Sequence, residues 1–319
     1  MRTEQAFMPV APLNTAVLFL VFNRLDTTQQ VFESIRRAKP PRLYIAADGA
    51  RMHKDGELET VSAVRDHVIS SIDWECQVKT LFRDKNMGCK YAVSSAISWF
   101  FDHEDQGIIL EDDCLPNQSF FWFCEELLEK YKNDQRIMMV SGTNYLLDIR
   151  DKVDGDYLFS RHFSIWGWAT WRRAWDTYDV ELDLCTDEFI ERRDYSYLAL
   201  SRGLERAYKG YLELIRDKSV DTWDYQWVFN CIYSYGLSIV PPVNLISNLG
   251  VEGAHASGVT KNNFLKTYDV ALPLSQSPRH VVPNMYHDSA VSARNFKVDN
   301  WVWARSLVKS LLVRLGFRK

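Results

Sequence analysis

Strand-length apolar runs alternate with helical patterns through the first half of the chain, and this rhythm limits the fold more than any other feature. Thr15–Phe22 is a continuous apolar run, the signature of a strand buried on both faces. Asn23-Arg24 follows, then a helical pattern through Val31, Ile35 and Ala38 that Asp26 or Thr27 can cap and Pro40-Pro41 ends. Leu43–Ala47 is a second buried run and stops at Asp48-Gly49, and 58–72 reads as helix. Val78–Phe82 reads as a third strand, leading through Arg83-Asp84-Lys85-Asn86-Met87-Gly88 into a helix over about 90–101. The fourth run, Ile108–Leu110, enters three consecutive acids, Glu111-Asp112-Asp113, before Pro116. A helix over 120–131 and a fifth strand, Ile137–Ser141, complete the series. Crossovers of about 30 residues imply an α/β fold with a mostly parallel sheet and helices on both faces. Each polar cluster then sits at a strand's C-terminal end, so Asn23-Arg24, Asp48, Arg83 and Glu111–Asp113 are expected along one edge, where open α/β sheets bind ligands.

Three adjacent carboxylates repel one another, and unpaired charge at the end of a buried strand is costly. A solvated acidic turn is the plain reading. A divalent metal shared between carboxylate and a substrate diphosphate is the reading that the strand end favours. No G-x-G-x-x-G follows the first strand and no G-x-x-x-x-G-K-[ST] occurs, so no glycine loop cradles phosphate. Arg24, Arg83 and Lys85 are the supplementary cations, and Asp48 is placed for a ribose hydroxyl or a base N–H, or is simply a turn Asp.

Past residue 145 the pattern changes. Phe163–Trp175 holds four of the 11 tryptophans, 187–217 looks helical and charged, and Asp221 or Thr222 would cap a helix to about Tyr235. Leu237–Val240 and Val243–Ile246 read as short strands, 250–258 as a small-residue loop with Glu252 and His255, and 260–290 as loop. Trp166, Trp168 and Trp171 are candidates to stack on an acceptor or floor a donor sugar, although such residues are more often core. There is no internal repeat and no low-complexity segment.

The ordered set of motifs resembles the GT-A glycosyltransferases, the nucleotide-diphospho-sugar transferase superfamily. Glu111-Asp112-Asp113 resembles the E-D-D form of its D-x-D motif, as found in the N-acetylglucosaminyltransferase I group, and the Arg83–Gly88 stretch is similar to one in bacterial family 2-like enzymes. The likeness continues through Phe120-Phe121, Val140-Ser141, Phe163, Gly167-Trp168 and Trp223-Asp224, about residues 15–255. The Cys-Leu-Pro-Asn after the acids departs from the eukaryotic pattern. The resemblance implies a GT-A, Rossmann-like mixed sheet with an α-rich acceptor side, a nucleotide-sugar donor (UDP-linked), and Mn²⁺ or Mg²⁺. It also implies that Asn23, Arg24, Asp48, Arg83, Asn86, Glu111 and Asp112 face the donor. By the same token Asp113 binds the metal, His255 is a further metal ligand or an exposed loop His, and Asp224 is the catalytic base, or simply an acid in a first helical turn that complements the dipole. The expected reaction is inverting transfer to a glycan or glycolipid acceptor, as in bacterial surface polysaccharide synthesis. The alternatives are a sugar-1-phosphate nucleotidyltransferase, disfavoured because Phe22-Asn23-Arg24-Leu25 has no Gly, and a non-catalytic sugar-binding protein.

The expected layout is a lead over 1–14, a nucleotide-sugar half over 15–145, an acceptor half over 146–290 and a terminal helix over 296–319. That tail's stretch Trp301–Lys319 has five cationic residues and no acid, with Trp301, Leu307, Val308, Leu311, Leu312 and Leu315 on one arc. It reads as an anionic-membrane anchor, or as a packing or homodimer helix. A net charge of -4 gives no basic field for nucleic acid. Six scattered cysteines without a C-x-x-C pair, and no signal peptide, lead to the expectation of a cytoplasmic chain, or one peripheral to the inner membrane face.

Overall fold

The computed structural model describes residues 7–183, 186, 188, 202–217, 220–250 and 266–294. His255, Glu252 and the 296–319 tail lie outside the described residues. Within them the expected α/β architecture is present. Strands β1 (Val17–Val21), β2 (Arg42–Ala47), β3 (Gln77–Phe82) and β4 (Gln106–Glu111) alternate with helices α1 (Leu25–Ala38), α2 (Glu57–Ser70) and α3 (Gly88–Phe101). A short strand β5 (Cys114–Pro116), helix α4 (Ser119–Tyr131) and strand β6 (Ile137–Ser141) follow. Then come β7 (Leu158–Ser160), β8 (Trp168–Trp171), α5 (Arg172–Trp175), α6 (Arg202–Arg216), α7 (Asp224–Tyr233), β9 (Leu237–Val240), β10 (Ile246–Asn248) and a helix α8 over 285–294.

The main sheet has the order β3-β2-β1-β4-β8-β6-β9-β7. β3, β2, β1 and β4 pair in parallel, and β8 runs antiparallel between β4 and β6. β9 is parallel to β6 and β7 antiparallel to β9, so only β8 and β7 oppose the other strands. The sheet is therefore mixed and mostly parallel. From β1 the chain steps outward to β2 and β3, then crosses back to β4 on the other side. The order reverses between β1 and β4, which opens a crevice beyond their C-terminal ends.

Side-chain alternation along each strand divides the core into two layers. Val17, Phe19 and Val21 of β1, with Leu43 and Ile45 of β2 and Ile108 and Leu110 of β4, pack under α1, α2 and α4. Leu18 and Leu20, with Tyr44, Ala46 and Ile109, pack on the other face against α3 and a tryptophan cluster. Because both faces are covered at β1, β2 and β4, those strands read as apolar runs rather than alternating ones, whereas the edge strand β3 is mostly exposed.

Several local expectations are corrected. Helix α1 starts at Leu25, and its N-cap is Arg24 without a side-chain capping bond, so neither Asp26 nor Thr27 caps it. The strand expected at Val243–Ile246 is displaced to Ile246–Asn248, because it pairs with β5 rather than joining the main sheet. The 260–290 stretch is not all loop, since its end enters α8. Strands β7 and β8 escaped notice because three and four residues are too short to show a period. Trp168 and Trp171 are buried, so neither is a sugar platform. Trp168 stacks on Trp223 with centroids 5.8 Å apart, and Trp171 donates its ring N–H to the Leu128 carbonyl at 3.0 Å. Trp166 is half-buried and meets Tyr145 edge-on at 5.6 Å.

We predict that Trp168→Ala lowers unfolding stability by about 3–5 kcal/mol, whereas Trp166→Ala costs about 1 kcal/mol or less, both read from urea denaturation. Equal losses at the two positions would contradict the core assignment of Trp168.

Candidate active site at the crevice between the first and fourth strands

The turn after β1 supplies Arg24 and the end of β4 supplies Glu111, Asp112 and Asp113, so the parallel β1–β4 pairing brings the two together. Arg24 spans two acids at once. Its Nη1 donates to Asp113 Oδ2 at 2.9 Å, and its Nη2 bonds Asp112 Oδ1. Burial alone would lower the guanidinium pKa, but the Asp112 and Asp113 charges raise it above the ordinary value. Burial pushes Asp112 up to about 6, with Arg24 pulling it back and Asp113 adding repulsion. Glu111 is held well above the usual carboxylate range, first by burial and then by repulsion from Asp113, Asp112 and Asp224. Asp224, over a hundred residues along the chain, is therefore near enough to Glu111 for their charges to repel.

A second strand pair fixes the acids from behind. β5 and β10 pair antiparallel, with Asn248 opposite Cys114. The Leu249 N–H then donates to the Asp113 carbonyl at 2.7 Å, and the Gly250 N–H to Asn248 Oδ1 at 2.8 Å. A Cβ on Gly250 would stand 2.4 Å from Asp113 Oδ2, so a side chain there would displace the carboxylate. His255 is five residues further on, outside the described residues.

The remaining donor-side expectations form a neighbouring group around the start of α3. Asp48 accepts the backbone N–H groups of Gly49 at 2.9 Å, Met87 at 3.0 Å and Gly88 at 3.2 Å. Burial raises its pKa, and those three donors partly offset the rise. Asn86 donates to the Gly49 carbonyl at 2.8 Å and Arg83 to Ser95 Oγ at 2.7 Å. Asn23 is turned the other way, giving its amide N–H to Glu57 Oε1 at 3.0 Å. Glu57 is pulled down to about 2 by its bonds to Arg51. The polar atoms of Asp48, Asn86 and Asn23 thus brace the loops that border the crevice.

Two residues matter here that sequence reasoning placed elsewhere or passed over. Asp221 was expected to cap its own helix, α7. Its carboxylate instead receives the N–H groups of Cys89 and Lys90, at 3.2 Å each, and so caps α3 from the other half of the chain. Gly88 permits this, having φ +77° and an Asp221 oxygen 2.8 Å from where a Cβ would lie. Cys89 is the second: burial raises its thiol pKa, and so does repulsion from Glu111, Asp224, Asp221 and Asp48. Its backbone N–H donates to Asp221, and it lies near enough to Glu111 and Asp224 for their charges to bear on the thiol. Its position straight after the Arg83–Gly88 stretch was the available signal.

Asp224 opens α7. The Tyr225 N–H, at 2.9 Å, and the Thr222 hydroxyl both bond its Oδ1. Its second oxygen takes neither bond.

Whether this set suits a metal can be judged from its atoms. Asp112 Oδ2 is buried and has no hydrogen-bond partner among the described residues. The carboxylates offer only oxygen, the donor of hard divalent cations. Among the described residues no three His, Cys, Asp or Glu side chains form a ready-made cage. The residues therefore fit a cation that completes its shell with substrate oxygens. A groove of about 490 Å³ between α2 and β3, lined by Leu58, Val61, Arg65, Ile69 and Phe82 among others, holds none of the site residues.

No family model matches the chain, and a comparison with curated proteins found no match. Among solved structures it is similar to HddC from Yersinia pseudotuberculosis, at 10% identity over 50% of this chain and 77% of that one, with a TM-score of 0.32. It is also similar to an active-site mutant of LgtC, at 14% identity over 56% of this chain and 64% of that one, with a TM-score of 0.33. Likenesses this distant carry no argument about what this chain does. No helix among the described residues is long and apolar enough to cross a membrane.

We predict that Glu111→Gln stabilises the metal-free protein at pH 7 by about 0.5–2 kcal/mol. The sign follows from proton linkage. A carboxyl whose folded pKa is raised binds more protons folded than unfolded, so wild-type stability falls as pH rises from about 4.3 through the folded value. The variant loses that part of the slope. Urea titrations from pH 4 to 8 in EDTA read both effects, and a variant that is less stable than wild type at pH 7 would contradict the repulsion.

Proposed function

We propose that the chain is a metal-dependent, inverting GT-A glycosyltransferase that moves a sugar from a nucleotide diphosphate, UDP-linked, to a hydroxyl of a glycan or glycolipid acceptor. One observation carries this reading. Acids from the end of β4 and a cation from the β1 turn meet at the strand-order reversal, with a separate carboxylate, Asp224, near them. Charge for a diphosphate and a carboxylate that could accept a proton are thus both within electrostatic reach of the same strand end.

Asp113 would hold the cation, with Asp112 adjoining and His255 a further ligand. Mn²⁺ or Mg²⁺ bound there would act as a Lewis acid on the departing diphosphate. Arg24 would add positive charge at the same phosphates, and Arg83 and Asn86 would border the donor from the α3 side. Asp224 would take the proton of the acceptor hydroxyl. Both of its local bonds fall on Oδ1, which fixes the carboxylate and leaves Oδ2 for that proton. The acceptor oxygen then bonds to the anomeric carbon as the bond to the diphosphate oxygen breaks, with inversion, and the nucleoside diphosphate leaves with the electron pair. The 296–319 tail would bring the domain to an anionic membrane surface carrying a lipid-linked acceptor, or join two copies.

The first measurement is nucleoside diphosphate release from a panel of UDP- and GDP-sugars with Mn²⁺. With a donor in hand, Asp224→Asn is expected to lower kcat by roughly 10²–10⁴-fold while UDP binding by calorimetry stays within about twofold of wild type. Near wild-type turnover in Asp224→Asn would remove it as the base.

A further inference from the structure

We propose that Arg24 is a resident counter-ion that keeps the metal-ligating carboxylates closed until a nucleoside diphosphate arrives, so that cation and diphosphate bind together and neither binds well alone. This rests on the reading of the crevice as a nucleotide-sugar site, and adds to it an order of events set by one side chain.

The geometry supplies the reason. The two guanidinium nitrogens of Arg24 take one acid each, Nη1 on Asp113 Oδ2 and Nη2 on Asp112 Oδ1. The other Asp113 oxygen, Oδ1, receives the Cys114 thiol at 3.4 Å. A cation approaching Asp113 therefore meets a carboxylate whose oxygens are both engaged, one of them by a positive charge. Metal and guanidinium repel each other, so the cation must displace Arg24 or bind beside it at a loss.

The three side chains differ in their freedom to leave. Arg24 is 31% exposed, against 5% for Asp112 and 16% for Asp113. The Arg24 main chain is held by the Thr28 N–H on its carbonyl at 3.1 Å, so the backbone stays while the side chain has an exit. A diphosphate offers that side chain a new anion, to which a guanidinium donates two parallel bonds. Moving Arg24 from carboxylates to phosphate frees Asp113 and turns its repulsion for the cation into a shared attraction to the diphosphate. Cation and diphosphate then raise each other's affinity by one common factor, as linkage requires.

A role for Arg24 as a permanent neutraliser of buried acid makes the opposite prediction, since removing it would loosen the site. The experiment is Mn²⁺ binding by electron paramagnetic resonance of the free ion, on the full chain, with and without UDP and with no donor sugar. Wild type is expected to bind Mn²⁺ weakly alone and about tenfold or more tightly with UDP. Arg24→Gln is expected to bind Mn²⁺ alone about tenfold more tightly than wild type, with a much smaller gain from UDP. Adding Asp113→Asn should abolish that gain and so locate the ion.

Where Arg24→Gln does not fold, Arg24→Lys decides, because a single ammonium cannot span both acids. It should bind Mn²⁺ alone severalfold more tightly than wild type. If wild type binds Mn²⁺ with UDP but neither variant binds the ion alone more tightly than wild type, the counter-ion role is overturned and the glycosyltransferase reading stands. If wild type fails to bind Mn²⁺ even with UDP, the nucleotide-sugar reading falls and this inference falls with it.

Discussion

The contact on which the crevice depends is the guanidinium of Arg24 set across Asp112 and Asp113. Each buried carboxylate left alone would cost several kcal/mol, a sizeable part of the 5–15 kcal/mol that separates a folded domain from its unfolded chain. The fold can keep three acids in sequence only because the strand order puts a cation opposite them. Glu111 shows the limit of that arrangement: Arg24 offsets only part of the repulsion it meets. Repulsion is thus left over at this strand end, and Asp112 Oδ2 has no hydrogen-bond partner among the described residues.

The start of α3 shows the same principle in a quieter form. Helix N-termini carry unpaired N–H groups and attract negative charge. Here Asp48 arrives from the end of β2 and Asp221 from just before α7, and their carboxylates take N–H groups of Met87, Gly88, Cys89 and Lys90 between them. The first and second halves of the chain are thereby stitched at one helix end, beside Cys89. The tryptophans act similarly through packing. Trp168 from the sheet and Trp223 and Trp227 from around α7 share one cluster, and that cluster is the base on which Asp224 stands.

The parallel half of the sheet was legible because β1, β2 and β4 are buried and read as apolar runs, and because strands and helices alternate at crossover spacing, two signals that agree. The convergence of Arg24 with the acids was legible for the same reason, since strand ends of a parallel sheet must share an edge. What could not be read was anything set by pairing between distant short segments. Four residues of β8 have no period, yet they fill the gap between β4 and β6. Asp221 was assigned to the nearest helix because local capping is the only kind a sequence displays. Trp166, Trp168 and Trp171 read as core more readily than as a sugar platform, and the packing of Trp168 and Trp171 puts those two in the core. Asp48 read as a nucleotide contact or a turn residue, and in the structure its oxygens meet backbone N–H groups.

The pairing of β5 with β10 has a bearing on how the protein is made. The acids at the end of β4 are synthesised early, but the strand that clamps them, with Leu249 and Gly250, emerges more than a hundred residues later. Loop closure over that distance makes such contacts late in folding. A growing chain can therefore assemble β1 to β4 and their helices while the crevice still lacks both its clamp and Asp224. Until the second half has folded back, such a nascent chain would carry the three acids without Asp224 near them and without the strand that holds them in place.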